Sequence, residues 1–288
     1  MVLGVKMVSV KEFKSIDLAS FTIISTGINV LFGIIIAIAL AVGILILSAG
    51  DIGTLIYLAP TIIVGSFMIG IYRYFTDGLF FNLLTNKLKN IKISLNGGEI
   101  VKISPTETAT ITATIATIQI LLLYLVSIFI LPLMLSTLVQ SLMLAGQQLL
   151  AYELYQLMFL ITQPTTALMF IIGTFVITFV FTLIAIYIYN LLASKGRGIV
   201  FELSQENEMT VIDSISMMNF AINIAILGGV LSLITGIISL IGGGNIISII
   251  VSVITSLISG FVSAALIAIF YNFLAPIIGK IKLELIDS

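Results

Sequence analysis

The residues of this sequence that could do chemistry are hydroxyls and amides embedded in apolar segments. Asn219 and Asn223 lie four positions apart, as do Ser25 and Asn29, so each pair shares one face of a helix. A third segment carries a Thr-rich run that includes Thr110 and Thr114. If these faces met at a common axis, they would form a polar ring able to replace water around an ion or a small solute.

The same side chains also have a purely structural interpretation. Ser, Thr and Asn in membrane helices commonly bond to their own backbone or to a neighbouring helix, and they let helices approach closely. No Asp, Glu, Lys or Arg stands deep in any apolar segment. Coupled transporters and proton relays commonly need such a group, so the sequence argues against active transport and leaves a passive conduit open.

The composition excludes most enzyme chemistry. Cysteine, histidine and tryptophan are absent, which removes thiolate nucleophiles, imidazole acid–base catalysis, disulfides and the commonest zinc and haem ligands. The triple glycine at 242–244 lacks the Lys-Ser or Lys-Thr sequel of a phosphate-binding loop. We therefore expect no enzyme activity, no cofactor and no bound metal, and nothing indicates a nucleic-acid partner.

Six apolar segments must position these polar residues. Of the 288 residues, 60% are hydrophobic and 9% are charged, and the mean hydropathy is +1.28. A helix needs about 20 mostly apolar residues to cross a bilayer, and six runs meet that length. We predict transmembrane helices over residues 18–48, 54–84, 109–141, 165–193, 217–241 and 246–274. A shorter amphipathic helix is expected at the bilayer surface over residues 147–159.

The positive charges predict an orientation. All twelve Lys and Arg residues fall near the termini, in the second and fourth connections, or at the adjoining end of the second helix. The opposite connections, residues 49–53, 146–163 and 242–245, contain none. By the positive-inside rule both termini are cytoplasmic, which predicts a multi-pass protein of the cytoplasmic membrane.

A short block recurs at the ends of the second, fourth and sixth helices. Each copy is an aromatic residue followed by an asparagine, namely Asn82, Asn190 or Asn272, and two large apolar residues. Because a helix-terminal Asn commonly caps backbone groups or bonds a neighbouring repeat, we interpret these three residues as architectural. The block predicts three two-helix repeats, over residues 1–98, 99–205 and 206–288.

Each repeat is predicted to begin and end with a short strand. Apolar residues alternate at 91–95, 199–203 and 281–285, which is typical of a half-buried strand. The turn at Asn96-Gly97-Gly98 predicts a hairpin with residues 99–103. The last strand has no following partner, so we expect it to pair with residues 5–10 and close a ring of pseudo-threefold symmetry. Cysteines at Val8 and Leu283 would then crosslink.

These repeated blocks resemble an uncharacterised family of short bacterial and archaeal membrane proteins, a transmembrane domain of unknown function whose members look like one such unit. The third repeat carries the resemblance best, through Tyr271-Asn272-Phe273-Leu274-Ala275 and the segment 279–285. The first repeat departs from it at Lys89-Asn90, and the second opens with its Thr-rich run. The resemblance implies a fold and no activity.

The sequence as a whole predicts an all-α integral membrane bundle of six transmembrane helices, arranged as three two-helix repeats with short cytoplasmic β-strands. The expected function is a non-enzymatic scaffold or assembly subunit of a membrane complex. Its partners would be the lipid bilayer and a membrane or cytoplasmic protein, with Lys280 and Lys282 on the docking surface. The alternative is a channel or permeation subunit that uses the polar residues around the axis.

Overall fold

The computed structural model describes residues 8–47, 52–88 and 90–288. This part of the chain contains seven helices, six of which are long and apolar enough to cross a membrane; α4 is the short one. The helices are α1 (Leu18–Leu47), α2 (Ile52–Thr85), α3 (Pro105–Leu144), α4 (Gln148–Thr162), α5 (Pro164–Ala193), α6 (Met217–Ile241) and α7 (Ile246–Ile278). The six predicted apolar helices are confirmed, with ends that differ by no more than four residues.

Six strands form a closed barrel, so the fold is not all-α as its predicted class had it, and the strands close into a ring as expected. The strands are β1 (Ser9–Ile16), β2 (Ile91–Asn96), β3 (Glu99–Ile103), β4 (Ile199–Glu206), β5 (Met209–Ile215) and β6 (Lys282–Asp287). Each strand pairs antiparallel with its neighbours in sequence order, and β6 pairs with β1. Each of the six described strands thus has a neighbour on both sides, although β3–β4 and β5–β6 pair over only two residues each.

The predicted pairing of the first and last strands is confirmed, but its position along β1 differs. We expected residues 5–10 to pair with β6, whereas β1 begins at Ser9 and Leu283 lies opposite Ile16. Residues 5–7 lie outside the described residues, and Val8 precedes the strand. The predicted crosslink between Val8 and Leu283 is therefore wrong. The cause is the charged segment of β1, whose lysines and glutamate face partners on β2 and β6 and so hide the apolar alternation.

The three ladders that join successive helix pairs share one irregularity. The register shifts once in each, between Ser94 and Leu95, between Glu202 and Leu203, and between Phe13 and Ser15. Beyond each shift, the residue that follows the strand donates its backbone N–H to the neighbouring strand. These bonds are Asp17 to Lys282 (2.9 Å), Ser104 to Lys92 (2.9 Å) and Ser216 to Val200 (3.0 Å). The same local geometry thus occurs at three places around the barrel.

The chain divides into two compact units. One consists of residues 1–107 and 184–288 and holds the barrel, α1, α2, α6 and α7; the other consists of residues 108–183 and holds α4 and most of α3 and α5. In the second unit the Tyr124 hydroxyl donates a hydrogen bond of 2.7 Å to the carbonyl of Ile161 in α4. The repeat boundaries predicted from sequence follow a different criterion and stay a prediction.

Close helix packing in the first unit depends on particular glycines. A Cβ at Gly33 of α1 would lie 2.7 Å from the Cβ of Ser66 in α2, and one at Gly236 would lie 2.6 Å from Cγ2 of Ile249. By contrast, a Cβ at Gly43 or Gly65 would meet no other atom within 4 Å. The glycines within the helices are therefore not equivalent, and only some of them set the distance between helices.

Candidate functional site

The three repeated asparagines bind the ends of three strands. The amide of Asn82 accepts a hydrogen bond from the N–H of Ile16 and donates one to the carbonyl of the same residue, both 2.8 Å. Asn190 makes the same pair of bonds to Ile103, and Asn272 makes it to Ile215. Each asparagine thus ties the end of its own helix hairpin to the strand that enters that hairpin.

The aromatic residue before each asparagine lies inside the junction between barrel and helices. The Tyr189 hydroxyl donates to the carbonyl of Ile100 at 2.6 Å and accepts from the N–H of Ile199, which bridges β3 and β4. Tyr271 bridges Ile212 and Ile281 in the same way, between β5 and β6. These two strand pairs have only two residues in register each, so the hydroxyl extends a short ladder.

Phe81 takes this place in the first repeat and has no hydroxyl. Its ring packs against Phe13 with centroids 4.7 Å apart, and β1 and β2 pair over five residues. The neighbouring Thr85 hydroxyl donates to the carbonyl of Lys14 at 2.7 Å. The longer ladder and the Thr85 bond replace the tyrosine bridge.

The polar candidates Asn29 of α1 and Thr114 of α3 form hydrogen bonds within their own hairpin or helix. The Asn29 side chain donates a hydrogen bond of 2.6 Å to the carbonyl of Ser66, which holds α1 against α2. Ser25 is buried, with 8% of its surface exposed. Thr114, in the second compact unit, donates to the carbonyl of Thr110 in its own helix at 2.8 Å. These contacts are of the kind expected for polar residues that stabilise helices.

Asn223 differs from the other candidates. It is 2% exposed, and its amide nitrogen donates to the carbonyls of Arg197 and Asn219, both at 2.8 Å. Its amide oxygen is buried and has no hydrogen-bond partner. Asn219 and Asn223 line a cavity of about 330 Å³ together with Gly196, Arg197 and Ile222.

The predicted polar ring would require the candidates to occupy matching positions in the three helices. The N–H bonds described above make Asp17, Ser104 and Ser216 equivalent. Counted from these residues, Asn29 is 12 positions further along, Thr114 is 10 and Asn223 is 7. The positions that match Asn223 are occupied by Ile24 and Ile111, which are also fully buried. The six polar candidates therefore do not occupy equivalent sequence positions in the three predicted repeats.

The charges of the barrel wall are largely used in ion pairs between strands. Lys11 pairs with Asp287, Lys14 with Glu284 and Lys92 with Glu12, which joins β1 to both of its neighbours. Hydrogen bonds from Lys14 and Ser15 hold the pKa of Glu284 below its ordinary value. Sequence reasoning missed these pairs; the alternation of Lys and Glu along residues 11–14 was the available signal.

Lys280 and Lys282, which were expected on a docking surface, form ion pairs within the barrel. Lys280 binds Asp213 at 2.7 Å and Lys282 binds Glu206 at 2.8 Å. Hydrogen bonds from Lys280 and, to a smaller extent, from Ser204 lower the pKa of Asp213. Reversing the charge of either lysine would therefore disturb the barrel itself, so such a variant cannot separate a docking role from a structural one. Among the described residues, the exposed cations that form no ion pair are Lys87, Lys102, Lys195 and Arg197.

A groove of about 560 Å³ lies along α1, α2 and α7. Its lining is mainly apolar and includes Phe67, Ile71 and Leu274. Thr22 and Thr26 also line it, and their buried hydroxyls have no hydrogen-bond partner. Thr26 is 5% exposed.

The outer wall of the barrel carries an exposed apolar patch at the seam between its first and last strands. We call Val8, Val10 and Ile286 the seam patch; they are 54%, 43% and 39% exposed. Val8 and Val10 alternate with inward residues, and Ile286 lies opposite Glu12, two positions beyond Val10 on the same face. The patch belongs to β1, to its entry and to β6, and lies outside the six membrane-length helices.

The described part of the chain contains no group of three or more Asp or Glu residues that could hold a metal ion. Comparison of the chain with protein-family models, with curated proteins and with solved structures finds no match.

Proposed function

We propose that the protein is a non-enzymatic membrane scaffold whose β-barrel lies on the cytoplasmic side and docks a protein partner. The seam patch is the observation that carries this proposal. Among the residues that the structure describes, none covers these valine and isoleucine side chains, which lie on the barrel wall outside the membrane-length helices. Contiguous apolar surface of this kind typically marks a site of protein interaction.

The closed barrel restricts how a partner can bind. Every strand has a neighbour on both sides, so no strand is free along its whole length for a partner to add a strand beside it. In this proposal the partner contacts side chains on the outer wall. The seam patch offers apolar side chains there, beside the Glu12–Lys92 ion pair, so a complementary partner surface would be apolar at its centre and polar at its rim.

The three junctions give such a platform its rigidity. Each asparagine fixes a helix end to a strand through two hydrogen bonds, and two tyrosine hydroxyls bridge the shortest ladders. Bonds of this kind leave few degrees of freedom between a membrane hairpin and the barrel above it. A rigid platform lowers the entropic cost of holding a partner.

Purification of the full chain in mild detergent, with quantitative mass spectrometry of co-purifying proteins, tests the scaffold proposal. We expect a stoichiometric partner that is lost from Val10→Lys and from Ile286→Lys. Glu202→Lys is the matched control, because it places a lysine on the exposed wall of β4, away from the seam patch. Retention of the same partner by both seam variants would refute the proposal.

The alternative function, a channel or permeation subunit, receives less support. Asn29 and Thr114 are engaged with backbone carbonyls of their own hairpin or helix, and neither matches Asn223 in position. Replacing Asn29, Thr114 and Asn223 by Leu and measuring conductance in reconstituted bilayers tests this alternative. Loss of a wild-type conductance in that variant would favour the channel.

A further inference from the structure

The cavity lined by Arg197, Asn219 and Asn223 has the features of a ligand site. Its volume of about 330 Å³ lies at the lower end of the range for small-ligand pockets. We propose that it binds the headgroup of an anionic glycerophospholipid, in which a phosphodiester meets Arg197 and a headgroup hydroxyl donates to the amide oxygen of Asn223. This proposal is independent of the protein partner and requires only that the apolar helices lie in a bilayer.

The orientation of the Asn223 amide is fixed by the two hydrogen bonds that its nitrogen donates. The nitrogen bonds to the carbonyls of Arg197 and Asn219, and since a carbonyl oxygen can only accept, the amide oxygen cannot take that place. The oxygen is left buried and without a donor, in a residue that is 2% exposed and lines the cavity. Buried acceptors are nearly always satisfied in folded proteins, so this atom points to a missing donor.

Arg197 supplies the complementary charge. It is exposed and lines the same cavity, and no carboxylate among the residues that the structure describes forms an ion pair with it. A guanidinium binds a phosphodiester through two parallel hydrogen bonds, which a lysine cannot do. A ligand that satisfies both residues must carry an anionic oxygen pair and, close to it, a hydroxyl donor.

The place of the cavity in the chain favours a lipid. Arg197 lies four residues beyond Ala193, the last residue of α5, and Asn219 and Asn223 lie in the first two turns of α6. Both helices are of membrane length, so their barrel-side ends lie at the depth of lipid headgroups. A phosphodiester of a phosphatidylglycerol type is abundant at that depth only as a lipid.

The matching positions in the other repeats are occupied by Ile24 and Ile111, which are buried to the same degree as Asn223. Asn223→Ile gives the third repeat the same residue type. It removes the acceptor and also the bond that the amide nitrogen donates to the Arg197 carbonyl, so Arg197→Gln, which keeps that bond, is the second, independent variant.

Native mass spectrometry of the full chain, titrated with phosphatidylglycerol and with phosphatidylcholine, tests the site. We expect phosphatidylglycerol to bind the wild type, and Asn223→Ile and Arg197→Gln each to weaken it about tenfold, the effect of losing one good hydrogen bond. Lys195→Gln is the matched control, since it removes a nearby exposed charge that does not line the cavity. Thermal unfolding in phosphatidylcholine reports whether each variant is folded. If Asn223→Ile does not fold, Arg197→Gln, a change at an exposed residue, still tests the site.

Three results would overturn the proposal. Equal phosphatidylglycerol binding by the wild type and Arg197→Gln would show that the lipid does not bind in this cavity. Equal weakening by Lys195→Gln would show that only general electrostatic attraction is at work. Binding of soluble glycerophosphoglycerol as tight as that of the lipid would assign the cavity to a soluble phosphodiester.

Discussion

Asn272 holds both backbone polar groups of Ile215, accepting from its N–H at 2.8 Å and donating to its carbonyl at 2.9 Å. Asn82 and Asn190 hold Ile16 and Ile103 in the same manner. One residue type thus performs one task at three places where a strand enters a helix hairpin. The sequence showed the asparagines as a repeated block; the structure supplies their partners.

Replacing Asn272 by Leu leaves the N–H and the carbonyl of Ile215 without partners. We expect a loss of about 1–3 kcal/mol in unfolding free energy, the usual cost of unsatisfied buried groups. Thermal unfolding in detergent measures it. Asn86→Leu is the control, because the exposed Asn86 side chain, just beyond α2, bonds only to the Asn82 carbonyl in the last turn of that helix. Equal destabilisation by the two variants would contradict the architectural role.

Removing the Tyr271 hydroxyl tests the bridge between β5 and β6. Tyr271→Phe deletes the bonds to Ile212 and Ile281 and keeps the ring, so we expect a loss of about 0.5–1.5 kcal/mol. Phe81→Tyr should bring no comparable gain, since β1 and β2 already pair over five residues. Both changes in unfolding free energy are measured by denaturant unfolding. An unchanged unfolding free energy in Tyr271→Phe would show that the hydroxyl bridge does not stabilise the barrel.

The pH dependence of stability should report the ion pair between Lys14 and Glu284. The pKa of Glu284 is lowered in the folded protein, so the pair stabilises the fold above the ordinary glutamate pKa of 4.5 and this contribution is lost as the pH falls below it. Unfolding midpoints between neutral pH and about pH 3 should fall less steeply for Glu284→Gln than for the wild type. If the unfolding midpoints of the wild type and of Glu284→Gln fell in parallel with pH, a stabilising role for this ion pair would be contradicted.

Gly33 sets the distance between α1 and α2. Gly33→Val would force its side chain into Ser66, and we expect a loss of about 1–3 kcal/mol from overpacking. Gly43→Val in the same helix meets open space and is the control. Thermal unfolding of both variants distinguishes a packing effect from a change in helix propensity, which the two substitutions share.

Much of the fold could be predicted from sequence because the apolar runs are long and the strands alternate. Residues 217–241 form α6 with the predicted ends. The segment β1 could not be placed, since Lys11, Glu12 and Lys14 read as solvent-exposed until their partners on β2 and β6 are known. Local periodicity contains no information about such non-local partners.

The candidate site was predictable only in its residue types. Asn219 and Asn223 stood out as amides four apart in an apolar segment, but their relation to Arg197 depends on how the α5–β4 connection packs on α6. The seam patch likewise exists only because β1 and β6 meet. Val8 and Val10 are separated from Ile286 by most of the chain.

Crosslinking across the β1–β6 seam tests the central claim most directly, since the closed barrel and the seam patch both depend on the pairing of these strands. The chain has no cysteine, so Glu12→Cys with Ile286→Cys introduces the sole pair of thiols, on residues that lie opposite each other. Oxidation in native membranes should give an internal disulfide, whereas Val8→Cys with Leu283→Cys should not. Crosslinking of the second pair and not the first would contradict the closed barrel described here.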